Sequence, residues 1–308
     1  DYLFIPPEKP NIQPLQNDQD NLPLDTDEVA STLEYGGPFS KFFQSYEHRP
    51  EQVEMARAVT QSLSTGQHLL VEAGTGVGKS FAYLVPAALF SIKNNTRVII
   101  STNTINLQDQ LIKKDIPDLR SALGIELRAS VLKGRSNYLC PRRLEMLRKR
   151  TPNSVDELRV LTKILVWLQT NTSGDRTDIT LNGPSERDIW VHISAEDDSC
   201  TIETCLERSG GTCPFFQARM AAQTSHLLIV NHALLLSDVA SGYRVLPDYK
   251  YLIIDEGHHL EAATTDALSF QLRKVDVERL LNEIGSNSAG TLSFLLSISS
   301  GGINPSDF

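Results

Sequence analysis

The feature that most narrows what this chain can fold into is a glycine-rich turn between a short apolar run and a helical pattern. His68-Leu-Leu-Val leads into Ala73-Gly-Thr-Gly-Val-Gly-Lys-Ser, and an apolar segment from Phe81 to Phe90 follows. Strand, glycine loop, Lys-Ser and helix is the order a phosphate-binding loop requires. Gly74, Gly76 and Gly78 let the backbone turn, so that the loop N–H groups, those of Thr75 and Val77 among them, approach phosphate oxygens. The helix that begins near Gly78 points the positive end of its dipole at the same anion. Lys79 then reaches the outer phosphates and the Ser80 hydroxyl ligates magnesium. Ala73 stands where the general pattern has its first glycine, and is small enough to permit the turn.

A second cluster closes another apolar run, Leu252-Ile-Ile-Asp-Glu-Gly-His-His. Carboxylates at the tip of an apolar strand are costly unless they face a cation or water. Beside a phosphate-binding loop, the first holds magnesium and the second orients or deprotonates the attacking water. Asp255 and Glu256 take those roles, with Lys79, in chemistry on Mg–ATP. His258 is either a nucleotide-sensing group or an exposed histidine. Upstream, Pro50 suits the first turn of a helix whose apolar face carries Val53, Ala56, Val59 and Leu63. Arg49 and Gln52 flank its start. The Gln52 amide is either a surface group or a reader of the adenine edge, donating one hydrogen bond and accepting another.

Residues 97–102, 130–132, 226–230 and 251–254 read as further strands, mostly continuous apolar runs suited to a parallel sheet covered on both faces. Their alternation with helices predicts an α/β doubly wound core, with phosphate chemistry at the carboxyl ends of the strands. Residues 1–38, with Pro6, Pro7, Pro10, Pro14 and Pro23, predict a flexible linker. Opening on Asp1 rather than methionine, the sequence reads as a piece of a longer protein. No apolar run approaches the ~20 residues of a membrane span. A net charge of −9 excludes a uniformly basic nucleic-acid binder but not a local basic groove.

Such a groove is visible in the sequence. Lys133, Arg135, Arg142, Arg143, Arg148, Lys149 and Arg150 lie around Cys140 with one acid, Glu145, among them. The basic groups suit phosphate contacts and Tyr138 suits base stacking; a solvated helix face is the alternative. The four cysteines are Cys140, Cys200, Cys205 and Cys213. Pairs three apart, as in zinc ribbons, are absent, which weakens a zinc site without removing it. Four thiolates can also hold a 4Fe–4S cluster, and buried free cysteines are the third reading.

Taken together, Ala73 to Ser80, Ser101-Thr-Asn-Thr, Leu132-Lys-Gly-Arg-Ser-Asn-Tyr-Leu-Cys, Ile229-Val-Asn-His-Ala-Leu-Leu and Asp255-Glu-Gly-His resemble the iron–sulfur DNA helicases of superfamily 2, in their DinG-type branch. The resemblance covers about residues 39–260. It implies a RecA-like P-loop NTPase domain over 39–132 and 225–262, and an inserted iron–sulfur domain over 133–224. A helical Arch domain would begin over 263–308. It further implies a 4Fe–4S cluster on Cys140, Cys200, Cys205 and Cys213, which would cross-link the ends of an insert with few strong apolar runs. ATP hydrolysis would drive 5′ to 3′ movement on single-stranded DNA and unwinding at duplex junctions, in DNA repair or replication. The second motor domain, with its arginine fingers, and an upstream exonuclease would lie outside this sequence. A monomer in the cytoplasm, associated with the nucleoid, is expected. The rival readings are a cluster-bearing nucleic-acid sensor without unwinding activity and an unrelated P-loop kinase or GTPase. No Asn-Lys-x-Asp guanine signature is present.

Overall fold

Four apolar segments become parallel strands: β1 (Val98–Thr102), β2 (Ala129–Val131), β3 (Leu227–Asn231) and β4 (Tyr251–Ile254). They lie in the order β2-β3-β1-β4, with Val98 beside both Leu227 and Tyr251, and Ala129 beside Leu227. The computed structural model describes residues 15, 21–74, 76–152, 154–171, 173–196, 205, 209–269, 272, 274, 277, 278, 281, 284 and 285.

In chain order the described helices are α1 (Thr26–Ser31), α2 (Pro38–Phe42), α3 (Pro50–Thr65), α4 (Lys79–Lys93), α5 (Ile105–Gln110) and α6 (Ile116–Leu123). A π-helical turn, Leu111–Asp115, joins the last two. There follow α7 (Pro141–Lys149), α8 (Val155–Thr170), α9 (Gly183–Ile193), α10 (Pro214–Thr224), α11 (His232–Ala240) and α12 (Leu260–Leu268). Alternate residues of a strand face opposite sides of the sheet. Val98, Ile100, Leu227 and Ile229 pack on α1, α3, α4 and α6 through Val29, Ala56, Leu84 and Ile116. Ile99, Leu228 and Val230 pack on α10 and α11 through Ala222, Leu234 and Leu235. The result is a three-layer α/β/α core, the parallel-sheet arrangement expected from the continuous apolar runs. Parallel strands bring their carboxyl ends to one edge. Thr102, His232 and the Asp255-Glu256 pair therefore gather there, although they are far apart in sequence.

Two expectations change. The run His68 to Val71 is not a strand: it leaves the left-handed Gly66 cap of α3 and stays outside the sheet, with Leu70 98% exposed. At the sheet edge, Leu252 and Ile254 of β4 are 40% and 39% exposed. A short apolar run carries the same pattern whether or not it finds a sheet. Residues 21–38, expected within a flexible linker, are folded. Asp25 caps α1, Val29 and Leu33 are buried, and Asn94 pairs with both the N–H and the C=O of Leu22. Proline and polar composition in this stretch is offset by four apolar side chains that find the core.

The segment after β2 has a core of its own. Leu139, just before α7, forms it with Leu144, Leu147, Val160, Ile164, Leu168, Trp190 and Ile193 on α7, α8 and α9. Helix α10 packs on both sides: Ala222 joins the sheet cluster, while Phe215 and Ala218 also pack against Tyr138, Cys140 and Ala195. Residues 1–264 form one compact unit and 265–308 a second. In the second, Lys274 and Glu278 form an i,i+4 ion pair of 3.4 Å; most of the expected Arch segment lies outside the described residues.

Candidate functional site

Helix α4 starts at Gly78, whose φ of +83° is open to glycine at little cost; Gly76 is also left-handed, at +87°. A β-carbon on Gly78 would stand 2.3 Å from Gln52 Nε2, whereas one on Gly74 or Gly76 would meet nothing. The loop is therefore tight against α3 on one side and open on the other. Thr75 lies outside the described residues. Ala73 and Val77 occupy the loop flanks, and Ser80 lies in the first turn of α4.

The Gln52 side chain is buried, and Nε2 donates to the Gly78 carbonyl at 2.7 Å, tying α3 to the start of α4. Nearby Arg49 holds Glu47 at 2.7 Å.

Lys79, the first residue of α4, sends Nζ to Glu256 Oε1 at 2.7 Å. That hydrogen bond, with the lysine charge, holds the Glu256 carboxyl below its usual pKa. Asp255 is pinned twice: its N–H donates to Ser101 O at 2.8 Å, and Oδ2 accepts from the Tyr83 hydroxyl at 3.2 Å. Burial pushes its pKa up, against the Tyr83 hydrogen bond and the Lys79 charge. Tyr83 is pushed well above its ordinary value, chiefly by burial, with nearby Ser80 working in the opposite direction. Residues four apart share a helix face, so Tyr83 stands one turn below Lys79. Sequence reading passed Tyr83 over, although its i+4 spacing from the lysine was a usable signal. Glu256 itself is left-handed (φ 55°, ψ 44°). His258 is exposed, with Nδ1 3.4 Å from Glu256 Oε2, and stacks on His259 at 4.0 Å. Two carboxylates, one ammonium, two hydroxyls and a helix N-terminus thus converge at one sheet edge. Such a set can bind polyphosphate and a divalent cation.

The cysteines divide. Cys140 and Cys213 are buried N-caps of α7 and α10, each followed by a proline in the first helical turn. Burial raises the Cys213 thiol; Cys205 hydrogen-bonds to it, and Cys140 is close enough to act on it. Cys200 lies outside the described residues. Among the described residues no three ligands are gathered as for a single metal ion.

The basic segment also divides. Lys133 is 3% exposed, and its Nζ is spent on Asp175 (2.7 Å), Asp109 (3.0 Å) and Thr177 (3.1 Å). Tyr138 is buried against Phe215, its hydroxyl accepting from the Lys133 N–H at 3.0 Å. Neither is placed to touch a nucleic acid, which corrects the sequence assignment. Lys133 is instead a buried bridge from α5 to the insert. Arg135 lies over the Phe215 ring at 5.4 Å. Arg143 reaches the Val191 and His192 carbonyls at 3.5 Å, and Arg142 shares the first turn of α7. Toward the end of α7, Arg148 and Lys149 are exposed around Glu145.

Comparison with known proteins matches the DEAD/DEAH box helicase family over residues 51–160 and the DEAD_2 family over residues 188–277. Relatives include the 3′-5′ exonuclease DinG of Bacillus subtilis, 34% identical over 247 residues, which are 80% of this chain and 26% of that protein. The ATP-dependent DNA helicase YoaA of Haemophilus influenzae is 34% identical over 238 residues, 76% of this chain and 36% of the relative. The ATP-dependent helicase DinG of Mycobacterium tuberculosis is 35% identical over 243 residues, 73% and 36% respectively. The chain thus spans about a quarter to a third of the length of these relatives.

Proposed function

Since this chain belongs to the DEAD/DEAH box helicases, in the branch of the DinG and YoaA proteins, we propose that it is the nucleotide-binding part of an ATP-dependent DNA helicase. The observation that carries this reading is the meeting of Lys79 with Glu256 beside Asp255, across 177 residues of sequence. ATP phosphates lie along the open side of Gly74 to Gly78, and Lys79 leaves Glu256 for the outer phosphates. Magnesium, when bound, neutralises phosphate charge, with the Ser80 hydroxyl and the Asp255 carboxylate to hold it. Tyr83 orients Asp255. Glu256, once released, accepts a proton from the attacking water. Hydrolysis drives movement on single-stranded DNA, 5′ to 3′, and opens duplex junctions in repair or replication.

We further propose that Cys140, Cys200, Cys205 and Cys213 hold a 4Fe–4S cluster. Cys140 and Cys213 are buried N-caps, and both Cys205 and Cys140 lie close to Cys213, which supports this. When bound, the cluster would supply a covalent joint or an electron-transfer centre. Arg142, Arg143, Arg148 and Lys149 on α7 are the groups proposed to meet DNA phosphates. An upstream exonuclease domain, a monomeric state and a cytoplasmic, nucleoid-associated setting belong to the same reading.

The test is a titration of the chain with Mg–ATP, in the unmodified form and as Lys79→Ala. Binding should be magnesium-dependent and weakened at least about tenfold by the substitution, the scale of a lost charge-assisted contact. Binding indifferent to both magnesium and Lys79 would overturn the reading.

A further inference from the structure

Behind the Asp-Glu turn lies a buried pair that the proposed chemistry does not use. Ser101 on β1 and His232 at the start of α11 are both buried, with Ser101 Oγ 2.7 Å from His232 Nδ1. The other ring nitrogen, Nε2, is buried without a hydrogen-bond partner. Burial lowers the ring pKa, while the Glu256 and Asp255 main chain and the Asp255 carboxylate work in the opposite direction. The ring lies next to the turn. A neutral imidazole carries one proton, and a Ser101 hydroxyl that donates to Nδ1 places that proton on Nε2.

The turn itself is under strain. Glu256 is a non-glycine residue in left-handed backbone, a state that persists only where the surroundings over-determine it. Ser101 already holds one side of it through the Asp255 N–H. A buried N–H donor left unpaired is unfavourable, so a small movement of the turn that pairs Nε2 is favoured once nothing opposes it. In the unliganded chain Lys79 draws Glu256 toward α4.

We propose that His232 is a positioning residue for the Asp255-Glu256 turn: Ser101 fixes its Nε2–H tautomer, and that N–H grips a main-chain carbonyl of the turn when Lys79 exchanges Glu256 for phosphate. The proposal rests on the nucleotide reading of the cleft. It gives the Asn231-His-Ala-Leu-Leu motif a task, reporting the state of the phosphate loop to α11.

Two measurements test it. Histidine ring ¹⁵N spectra of the chain should show His232 with the proton on Nε2, exchanging more slowly when Mg–ATP is added. In the full-length protein, His232→Asn keeps a polar group near the Nδ1 position, and His232→Gln keeps a donor near Nε2. The asparagine variant should lose about 10- to 100-fold in kcat for ATP, the effect of one buried hydrogen bond made only in the active arrangement. Its KM should be unchanged, and the glutamine variant should recover most of the rate. A proton on Nδ1 overturns the proposal, as do asparagine and glutamine variants of equal activity. If the unmodified chain fails to bind Mg–ATP, the nucleotide reading falls and this one with it. Intact binding with indistinguishable variants sinks only the role of His232.

Discussion

Glu256→Gln removes a charge from the site without changing its size, and its two expected effects have opposite signs. Lys79 must leave Glu256 to reach phosphate, so the ion pair competes with the ligand. The pair is short, at 2.7 Å, but its side chains keep 29% and 30% of their exposure, so screening limits it to about 0.5–1 kcal/mol. Removing the competitor should therefore tighten Mg–ATP binding by about 2- to 5-fold. Hydrolysis should fall by about 10²- to 10⁴-fold, as for a lost general base. Calorimetric titration gives the first number, and phosphate release by the full-length protein gives the second. The sign of the pH effect follows from the depressed Glu256 pKa. The pair stabilises the fold at neutral pH, and its contribution is lost as pH falls from the ordinary 4.5 through the lowered value. The binding advantage of the glutamine variant should then be flat from pH 6 to 8. Weaker or unchanged Mg–ATP binding by Glu256→Gln would refute the competition on which this reasoning stands.

Asp255→Asn should stabilise the free chain at pH 7 by about 1–3 °C in Tm while abolishing magnesium-dependent hydrolysis. Its pKa is raised by burial, so its charge is a cost to the fold that sets in as pH rises from the ordinary 3.8 through the raised value and is constant above it. Lys133→Met leaves Asp109 and Asp175 without their shared cation, and should cost about 2–4 kcal/mol in urea unfolding, the partners' residual exposure lowering the figure for a fully buried pair. Arg142→Glu with Arg143→Glu should weaken single-stranded DNA binding and flatten its salt dependence. Cys213→Ser should lose iron from protein purified without oxygen, while hydrogen exchange over residues 141–193 stays slow, because that segment has its own apolar core.

Much of the motor core was legible because its strands are continuous apolar runs and its site residues sit at their tips. Asp255 and Glu256 needed no tertiary information beyond the strand that precedes them. What escaped reading depends on partners distant in the chain. The charge count around Cys140 could not show that Lys133 is matched by Asp109, 24 residues earlier, and by Asp175, 42 later. Nor could spacing from the phosphate loop show that the Gln52 amide turns toward Gly78 rather than outward. In both cases the residue type fits either role, and only the fold decides which polar group lies within reach.

The insert illustrates the same point through packing. Its apolar residues are spread over three helices and Leu139 before them, so no single run stands out, yet eight of them close into one core. Among the described residues this core contains no cysteine. Cys140 opens the helical insert, and Cys213 opens the helix that covers the sheet. Each thiol stands at a helix N-terminus, where the Cys-Pro dipeptide in the sequence was the readable sign. A metal centre on these cysteines would tie the helical insert to the helix that covers the sheet, within one compact unit.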